Sequence, residues 1–220
     1  MGRRALPKFD TTLDLSRHFW ESERLARPID LAALFANPQL PLEVEVGSGK
    51  GLFMAAASQN RPEHNFLGIE IAFKYARHAA GRLVRQNSPN AAMIAGDAME
   101  LFRTWFMDAS LAAVHVYFPD PWWKKRHRRR RVMNEEFLGN VQRTLVPGGA
   151  LHFWTDVQEY FETALPTVSA STQLAGPLPV VERAPEHDLD YQTHFERRMR
   201  QHGKPIYRSE FRKLSTIEVG

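Results

Sequence analysis

Between residues 42 and 170 the chain repeatedly follows a short β-rich run with a segment of helical periodicity, and this alternation most restricts the folds open to it. "LEVEV" (42–46) precedes "LFMAAASQN" (52–60), which Asn60, Arg61 and Pro62 close. "NFLGIEI" (65–71) precedes a helix over 73–87, and "AAMIAG" (91–96) one over 98–107. "SLAAVHVYF" (110–118) runs into a basic loop, after which 133–145 is predicted helical; "VPGG" (146–149) turns into "ALHFWTD" (150–156), and a helix over 157–170 follows. Strands alternating with helices of this length predict an α/β fold with a mostly parallel sheet covered on both faces. Residues 206–219 are β-rich, the Pro-rich 176–187 reads as a loop or weak strand, and residues 1–40 read as an extension ahead of a domain over 41–220.

Ligands of such sheets bind at the carboxyl ends of the strands, near the point where strand order reverses. Five successive predicted strands carry an acid at or beside that end: Glu45, Glu70, Asp97, Asp120 and Asp156. Capping of the following helix explains any one of them. Five converging carboxylates call for partners such as hydroxyls, amines and cationic ligands. The turn after the first strand, "GSGKG", fails two familiar patterns. A phosphate-binding P-loop needs Gly and Ser or Thr where Val44 and Gly51 stand, and a dinucleotide fingerprint needs Gly where Leu52 stands. What remains is a tight turn that lets backbone approach a ligand, with Glu70 on the next strand end as a partner for ribose hydroxyls. Together with Asp97 this points to a nucleoside ligand.

Charge adds a second constraint. The net charge is +4, yet Lys124 to Arg131 alone carry seven positive side chains and no acid, which leaves the rest of the chain at −3. A field concentrated on one segment between two apolar runs suits a polyanion, nucleic acid or an anionic membrane, better than general solubility. "KKRHRRRR" offers no apolar face for an amphipathic membrane helix. With no cysteine, disulfides, thiolate metal sites and a cysteine nucleophile are excluded, in keeping with a reducing compartment. Most of the nine histidines are too dispersed for a metal site, and His115 reads as core rather than ligand. No apolar run approaches the roughly 20 residues that span a bilayer, and the start "MGRRALPKFD" lacks the apolar core of a signal peptide, so a cytoplasmic location is expected.

"EVGSGKG", "GIEI", "GDA", "FPDPWWKKRHRRRR", "TD" at 155–156 and "THFERR" at 193–198 resemble, in order and spacing, the tRNA (guanine-N7-)-methyltransferase family over about residues 40–215. The resemblance implies the class I methyltransferase fold, doubly wound with a mostly parallel seven-stranded sheet and an antiparallel last strand. It also implies S-adenosylmethionine as methyl donor and, as acceptor, tRNA with guanine at position 46 of the variable loop. By matching position, cofactor residues are Glu45, Gly47, Gly49, Glu70, Asp97 and Asp120, with Asp120 also catalytic. Substrate contacts fall on Lys124, Asp156, Thr193, His194, Phe195 and Glu196, and RNA contacts on Arg126, His127, Arg128, Arg129, Arg130 and Arg131; no metal is implied. The chain departs from the family pattern at Val157, where many members have Trp, and Trp123 occupies a variable position.

Chemistry agrees with that assignment. Guanine N7 has an exposed lone pair and no proton, so methylation there needs alignment rather than a general base. A carboxylate at the fourth strand end can stabilise the positive charge that develops on the purine. An Arg fork on the O6 and N7 edge would block the nucleophile, so guanine has to be read from N1 and N2, with Asp156 and Glu196 as candidates. The rival classes are a noncatalytic RNA-binding module, which would lose the cofactor acids, and an amino-methyltransferase, which typically shows two prolines where Asp120 is followed by Pro121 and Trp122. Of the two tryptophans in the loop, one is expected to pack beneath it.

Overall fold

All five residues of Leu42–Val46 are buried, and burial on both faces explains why this short run reads as apolar despite two acids. Leu42, Val44 and Val46 join one core cluster, while Glu43 and Glu45 alternate onto the opposite face. The computed structural model describes residue 6 and residues 8–180 and 194–215. Its strands are β1 (Phe19–Glu21), β2 (Leu42–Val46), β3 (Asn65–Glu70), β4 (Ala91–Ala95), β5 (Leu111–Tyr117), β6 (Leu145–Thr155), β7 (Ala175–Leu178) and β8 (Tyr207–Arg212). The helices are α1 (Leu31–Leu34), α2 (Leu52–Asn60), α3 (Phe73–Arg85), α4 (Ala98–Thr104), α5 (Glu135–Thr144), α6 (Gln158–Ser171) and α7 (His194–Gln201).

The sheet order is β1-β4-β3-β2-β5-β6-β8-β7, with β1 to β6 parallel and β8 antiparallel to both β6 and β7. From β2 the chain winds outward through β3 and β4, then returns to place β5 on the other side of β2. The order therefore reverses between β2 and β5, where a crevice opens beyond the strand ends. Side chains of α4, α5 and α6 pack into the cluster on the Val44 face, and those of α2 and α3 pack on the other.

The predicted alternation holds, with two differences. The seven expected strands gain an eighth from the extension: Phe19–Glu21 pairs with Met93–Ala95 at the sheet edge. Three half-buried residues carry too little period to announce a strand. The other difference is "VPGG", which continues into β6 instead of standing apart as a turn; Gly148, at φ 80°, donates its N–H to Lys213 O at 2.7 Å. Of the weak 176–187 segment, residues 175–178 form β7, and 181–187 lie outside the described residues.

Under α2, the sheet carries a buried polar row in place of apolar contacts. Across β2, β5, β6 and β8, Glu45 registers with His115, His115 with His152 and His152 with Glu210. His115 is core, as the sequence predicts: Nε2 lies 2.7 Å from Glu43 Oε2, Nδ1 lies 2.9 Å from the Tyr117 hydroxyl, and the ring stacks on His152 at 4.8 Å. Burial works to raise the Glu43 carboxyl, but the His115 hydrogen bond and the charge of Arg61 prevail and hold it at about 2. Burial pushes the His115 imidazole down. A neutral His115 beside an ionised Glu43 donates from Nε2 and accepts the Tyr117 hydroxyl at Nδ1.

One glycine is dictated by contact as well as conformation. Gly51, at φ 68°, ends the Gly-rich turn at the N-cap of α2, and a Cβ there would lie 2.6 Å from Ala79 Cβ of α3. Gly139, inside α5, has no atom within 4 Å of the same position. Gly51→Ala is expected to destabilise the fold by roughly 2–4 kcal/mol through left-handed strain and overpacking. Gly139→Ala is expected to stabilise it by about 1 kcal/mol. Urea unfolding of both variants checks the contrast, and equal effects would contradict it.

Candidate functional site

The crevice begins with the turn after β2. Gly47 (φ 77°) and Gly49 (φ 53°) adopt left-handed conformations that other residues rarely tolerate. The N–H groups of Gly47 and Ser48 donate to Ile69 O at 2.8 and 3.1 Å, and Gly49 N donates to Glu70 Oε2 at 2.9 Å. Glu70 Oε1 accepts from Ala72 N, also at 2.9 Å, so one buried carboxylate ties the turn to the entry of α3. A Cβ on Gly47 would meet nothing within 4 Å, and one on Gly49 only the Gly47 carbonyl at 3.9 Å. The turn thus borders open space while its backbone is fixed from behind.

Glu45 lies beneath this turn, only 3% exposed, and its Oε2 has no hydrogen-bond partner. Burial pushes its carboxyl up to about 8, opposed by a hydrogen bond from Ser48 and reinforced by the charge of Glu70. An orphaned buried oxygen at a strand-order reversal is a site awaiting a donor or a cation. On the neighbouring strand end, exposed Asp97 accepts from Met99 N at 2.9 Å and caps α4, so the helix-capping explanation applies to this acid as well. Ile71 (73% exposed) and Phe73 (47% exposed), beside Glu70, are large apolar side chains facing solvent at the same edge. Sequence periodicity did not single them out, because only their exposure marks them.

The far wall comes from the loop after β5. Phe118 (φ 50°) and Trp122 (φ 47°) are non-glycine residues in the left-handed region, two strained positions within five residues around Asp120. Phe118 N donates to Trp154 O at 2.8 Å, which fixes where the loop departs. Asp120 and Lys124 are exposed. Trp122 is half-buried, edge-on to His127 and under the Arg130 guanidinium at 5.0 Å, whereas Trp123 is 65% exposed. One tryptophan packs into the loop, as expected, and it is Trp122.

The basic run forms a short 3-10 helix over Lys125–Arg130. Arg126, Arg128, Arg129 and Arg130 are exposed, and His127 is half-buried. Arg131 does not share their surface. It is 8% exposed, donates from Nε to Pro121 O at 2.8 Å, binds Glu159 Oε2 at 3.1 Å and packs over Tyr160. It is a strut between the loop and α6, with no exposed guanidinium to offer RNA.

Asp156 is half-buried one residue beyond β6. Thr193 lies outside the described residues, and His194, Phe195 and Glu196 open α7. Glu196 is 2% exposed, and its Oε1 accepts from Arg200 Nε at 3.0 Å and lies 3.5 Å from Arg208 Nη2. Sequence reasoning missed Arg200, Arg208 and Trp154, over which the Arg208 guanidinium stacks at 4.9 Å. Nothing short of the β6–β8 register brings them to this edge. No group of histidines and carboxylates among the described residues could hold a metal ion. No helix among them is long and apolar enough to cross a membrane.

A doubly wound sheet with an antiparallel final strand, a Gly-rich turn and acids along one edge is the architecture of class I methyltransferases. Solved structures of similar shape agree. The 16S rRNA methyltransferase KamB superposes with a TM-score of 0.58 at 12% identity, over 80% of this chain and 88% of that one. The antibiotic-resistance methyltransferase Kmr does so with a TM-score of 0.54 at 15% identity, over 80% and 87%. At such identities the likeness concerns the fold. In sequence, a family model described as "Putative methyltransferase" matches residues 39–209. The tRNA (guanine-N(7)-)-methyltransferase of Rhodopirellula baltica is 52% identical over 98% of this chain and 81% of its own length, and that of Limosilactobacillus fermentum is 38% identical over 79% and 80%. The chain belongs to the tRNA (guanine-N(7)-)-methyltransferase family.

The raised carboxyl of Glu45 has a stability signature. Between its ordinary value of 4.5 and about 8 the folded chain holds a proton that the unfolded chain lacks, so this residue makes stability fall as pH rises through that window. Glu45→Gln is expected to remove the effect, so that the variant gains on the wild type from about pH 5 to pH 8 in chemical denaturation. A difference independent of pH would show that the carboxyl is ionised throughout.

Proposed function

We propose that this chain is a cytoplasmic enzyme that methylates N7 of guanine in tRNA, at position 46 of the variable loop, using S-adenosylmethionine. The observation that carries the reading is the meeting, at one sheet edge, of a buried carboxyl with an orphaned oxygen under a Gly-rich turn and a strained acidic loop that leads into exposed arginines. The names of the relatives support the same reaction. The crevice fits the cofactor: open space above Gly47 and Gly49 admits a ligand close to backbone, and Glu45 Oε2 lacks a partner. When bound, the cofactor supplies a methyl group activated on a sulfonium.

Glu45, Gly47, Gly49, Glu70, Asp97 and Asp120 are the residues that would hold it. Glu70 retains acceptor capacity on both oxygens beyond its two backbone bonds, enough to receive ribose hydroxyls. Asp120 orients the base and offsets the positive charge that N7 acquires as its lone pair forms the new carbon bond and the methyl–sulfur bond breaks. No proton leaves the nucleophile, so Asp120 need not be a base. Glu196 is committed to two guanidiniums, which leaves Asp156 as the better reader of the N1 and N2 hydrogens, a contact adenine cannot match. Lys124 and the exposed arginines Arg126, Arg128, Arg129 and Arg130 attract the phosphate backbone; the family resemblance adds Thr193, His194 and Phe195 as substrate contacts.

The test is nucleoside mass spectrometry of tRNA incubated with the chain and labelled cofactor. N7-methylguanine from the variable loop is expected, and label on any other atom would overturn the reading. Asp120→Ala is expected to abolish turnover while tRNA affinity stays within a fewfold. Replacing Arg126, Arg128, Arg129 and Arg130 by alanine should weaken tRNA binding and flatten the slope of log K against log salt by roughly 3 to 4, about four phosphate contacts. An unchanged slope would show that these arginines do not meet the backbone.

A further inference from the structure

The two acids of β2 form an internal comparison. Glu43 and Glu45 leave the strand on the same face, and each is 3% exposed, so both carboxyls are withdrawn from water. They differ in what meets them. Arg61 pairs with one oxygen of Glu43, and His115 Nε2 lies 2.7 Å from the other, which keeps this carboxyl ionised. Glu45 has an orphaned Oε2, and its hydrogen bond comes from the Ser48 hydroxyl, which also lies 3.2 Å from the Glu45 main-chain oxygen.

No cation among the described residues offsets a charge on Glu45. The charge that acts on it is that of Glu70 on β3, of the same sign, and Lys50 of the turn is not among the groups that act on it. On β5, His115 registers opposite Glu45 with its imidazole pushed down by burial, and the Tyr117 phenol is held well above its ordinary range by burial and by the charge of Glu45. Helix α2, packed over this face, carries no charged residue. A buried carboxyl with a like charge nearby and no counter-ion keeps its proton. The open space above Gly47 and Gly49 is where a ligand can supply what Glu43 receives from the protein itself.

We propose that Glu45 is neutral in the free chain and ionises when S-adenosylmethionine binds, so that cofactor binding releases a proton to solvent. The inference rests on the proposed cofactor, which carries an ammonium and a sulfonium. A cation that reaches Oε2 puts Glu45 in the situation Glu43 already occupies. The bond that breaks is the carboxyl O–H of Glu45; the cofactor keeps its own protons, and the buffer takes the one released. Cofactor and proton therefore compete for the same carboxyl, and affinity rises with pH up to the point where the free chain gives up that proton by itself, at about 8. A carboxyl that kept its proton would instead donate to the cofactor, with no release and no such rise.

Titration calorimetry of the full chain with S-adenosylmethionine, in the absence of tRNA and in buffers of different ionisation enthalpy, counts the protons. At about pH 6.5 an α-amino group, with a pKa of about 7.7 to 8.0, stays charged. There the wild type is expected to release about one proton per cofactor, and its affinity should rise about tenfold from about pH 6 to about pH 7. Glu45→Gln, which cannot titrate, should bind more weakly, release no proton and lose that rise. A second measurement needs no variant: the infrared difference between bound and free wild type should show the carbonyl stretch of a protonated carboxyl disappearing. Cofactor binding by the wild type without proton release, or with that stretch retained, would overturn the inference. So would equal release from Glu45→Gln, since another group would then be the source. If the wild type binds without release yet methylates guanine N7, the inference falls and the proposed reaction stands. If it releases the proton yet methylates no N7, the inference stands and the reaction falls, and a chain that binds no S-adenosylmethionine removes both.

Discussion

A strand buried on both faces has to dispose of every polar group it carries, and β2 carries two carboxylates. Glu43 is satisfied by His115 and by Arg61, and stays ionised. Glu45, two residues nearer the crevice, shares that face but keeps an orphaned oxygen and a carboxyl raised to about 8. The same strand therefore pairs one acid inside the protein and leaves the other short of a partner at the reversal of strand order. Burying a lone carboxyl costs stability, and a ligand that completes its hydrogen bonding recovers some of that cost only on binding. Much of the surrounding structure follows from keeping Glu45 in that position: the glycines that make room above it, the Glu70 bridge that fixes the turn, and the α2 start packed against α3 at Gly51.

The paired acid also acts at a distance. Through His115 it orders the Tyr117 hydroxyl, and Tyr117 packs against Trp154 at 4.8 Å and Phe53 at 5.2 Å directly before the strained loop begins. The left-handed conformations at Phe118 and Trp122 are held from several sides: the Phe118 bond to Trp154 O, the Arg131 bond to Pro121 O, and the Arg130 guanidinium over Trp122. Strain of this kind persists only where the surroundings over-determine it. What it secures is a fixed path for Asp120 between a rigid strand and a charged helix.

The fold was legible because its signals are local. Alternating β-rich and helical segments gave the layers, and strand-end acids located the edge, since both depend on spacing along the chain. Three features were not legible for the opposite reason. Phe19–Glu21 is a strand only because β4 offers it an edge. Arg131 looked like its neighbours in a run of identical charge, and only the folding of the loop onto α6 buries it. Glu196 looked like a free acid until the β6–β8 register brought Arg208 beside it. Each is decided by a partner far away in sequence.

Those last two residues show how one kind of ion pair serves two purposes. In both, an ion pair removes a buried charge from the list of groups a ligand can meet: Arg131 is taken by Glu159, and Glu196 by Arg200 and Arg208. The difference lies in stoichiometry. Glu159 also draws Arg128 to 3.4 Å, so one exposed acid tethers the base of the basic run while the remaining arginines stay outward. Glu196 instead takes a guanidinium from each of two elements, Arg200 of α7 and Arg208 of β8, and so ties that helix to the sheet edge. The exposed arginines of the basic run thus follow directly on the strand-end acid Asp120. Under the proposed function, that arrangement separates attraction of the backbone, by the exposed arginines, from selection of the nucleotide, by the carboxylates.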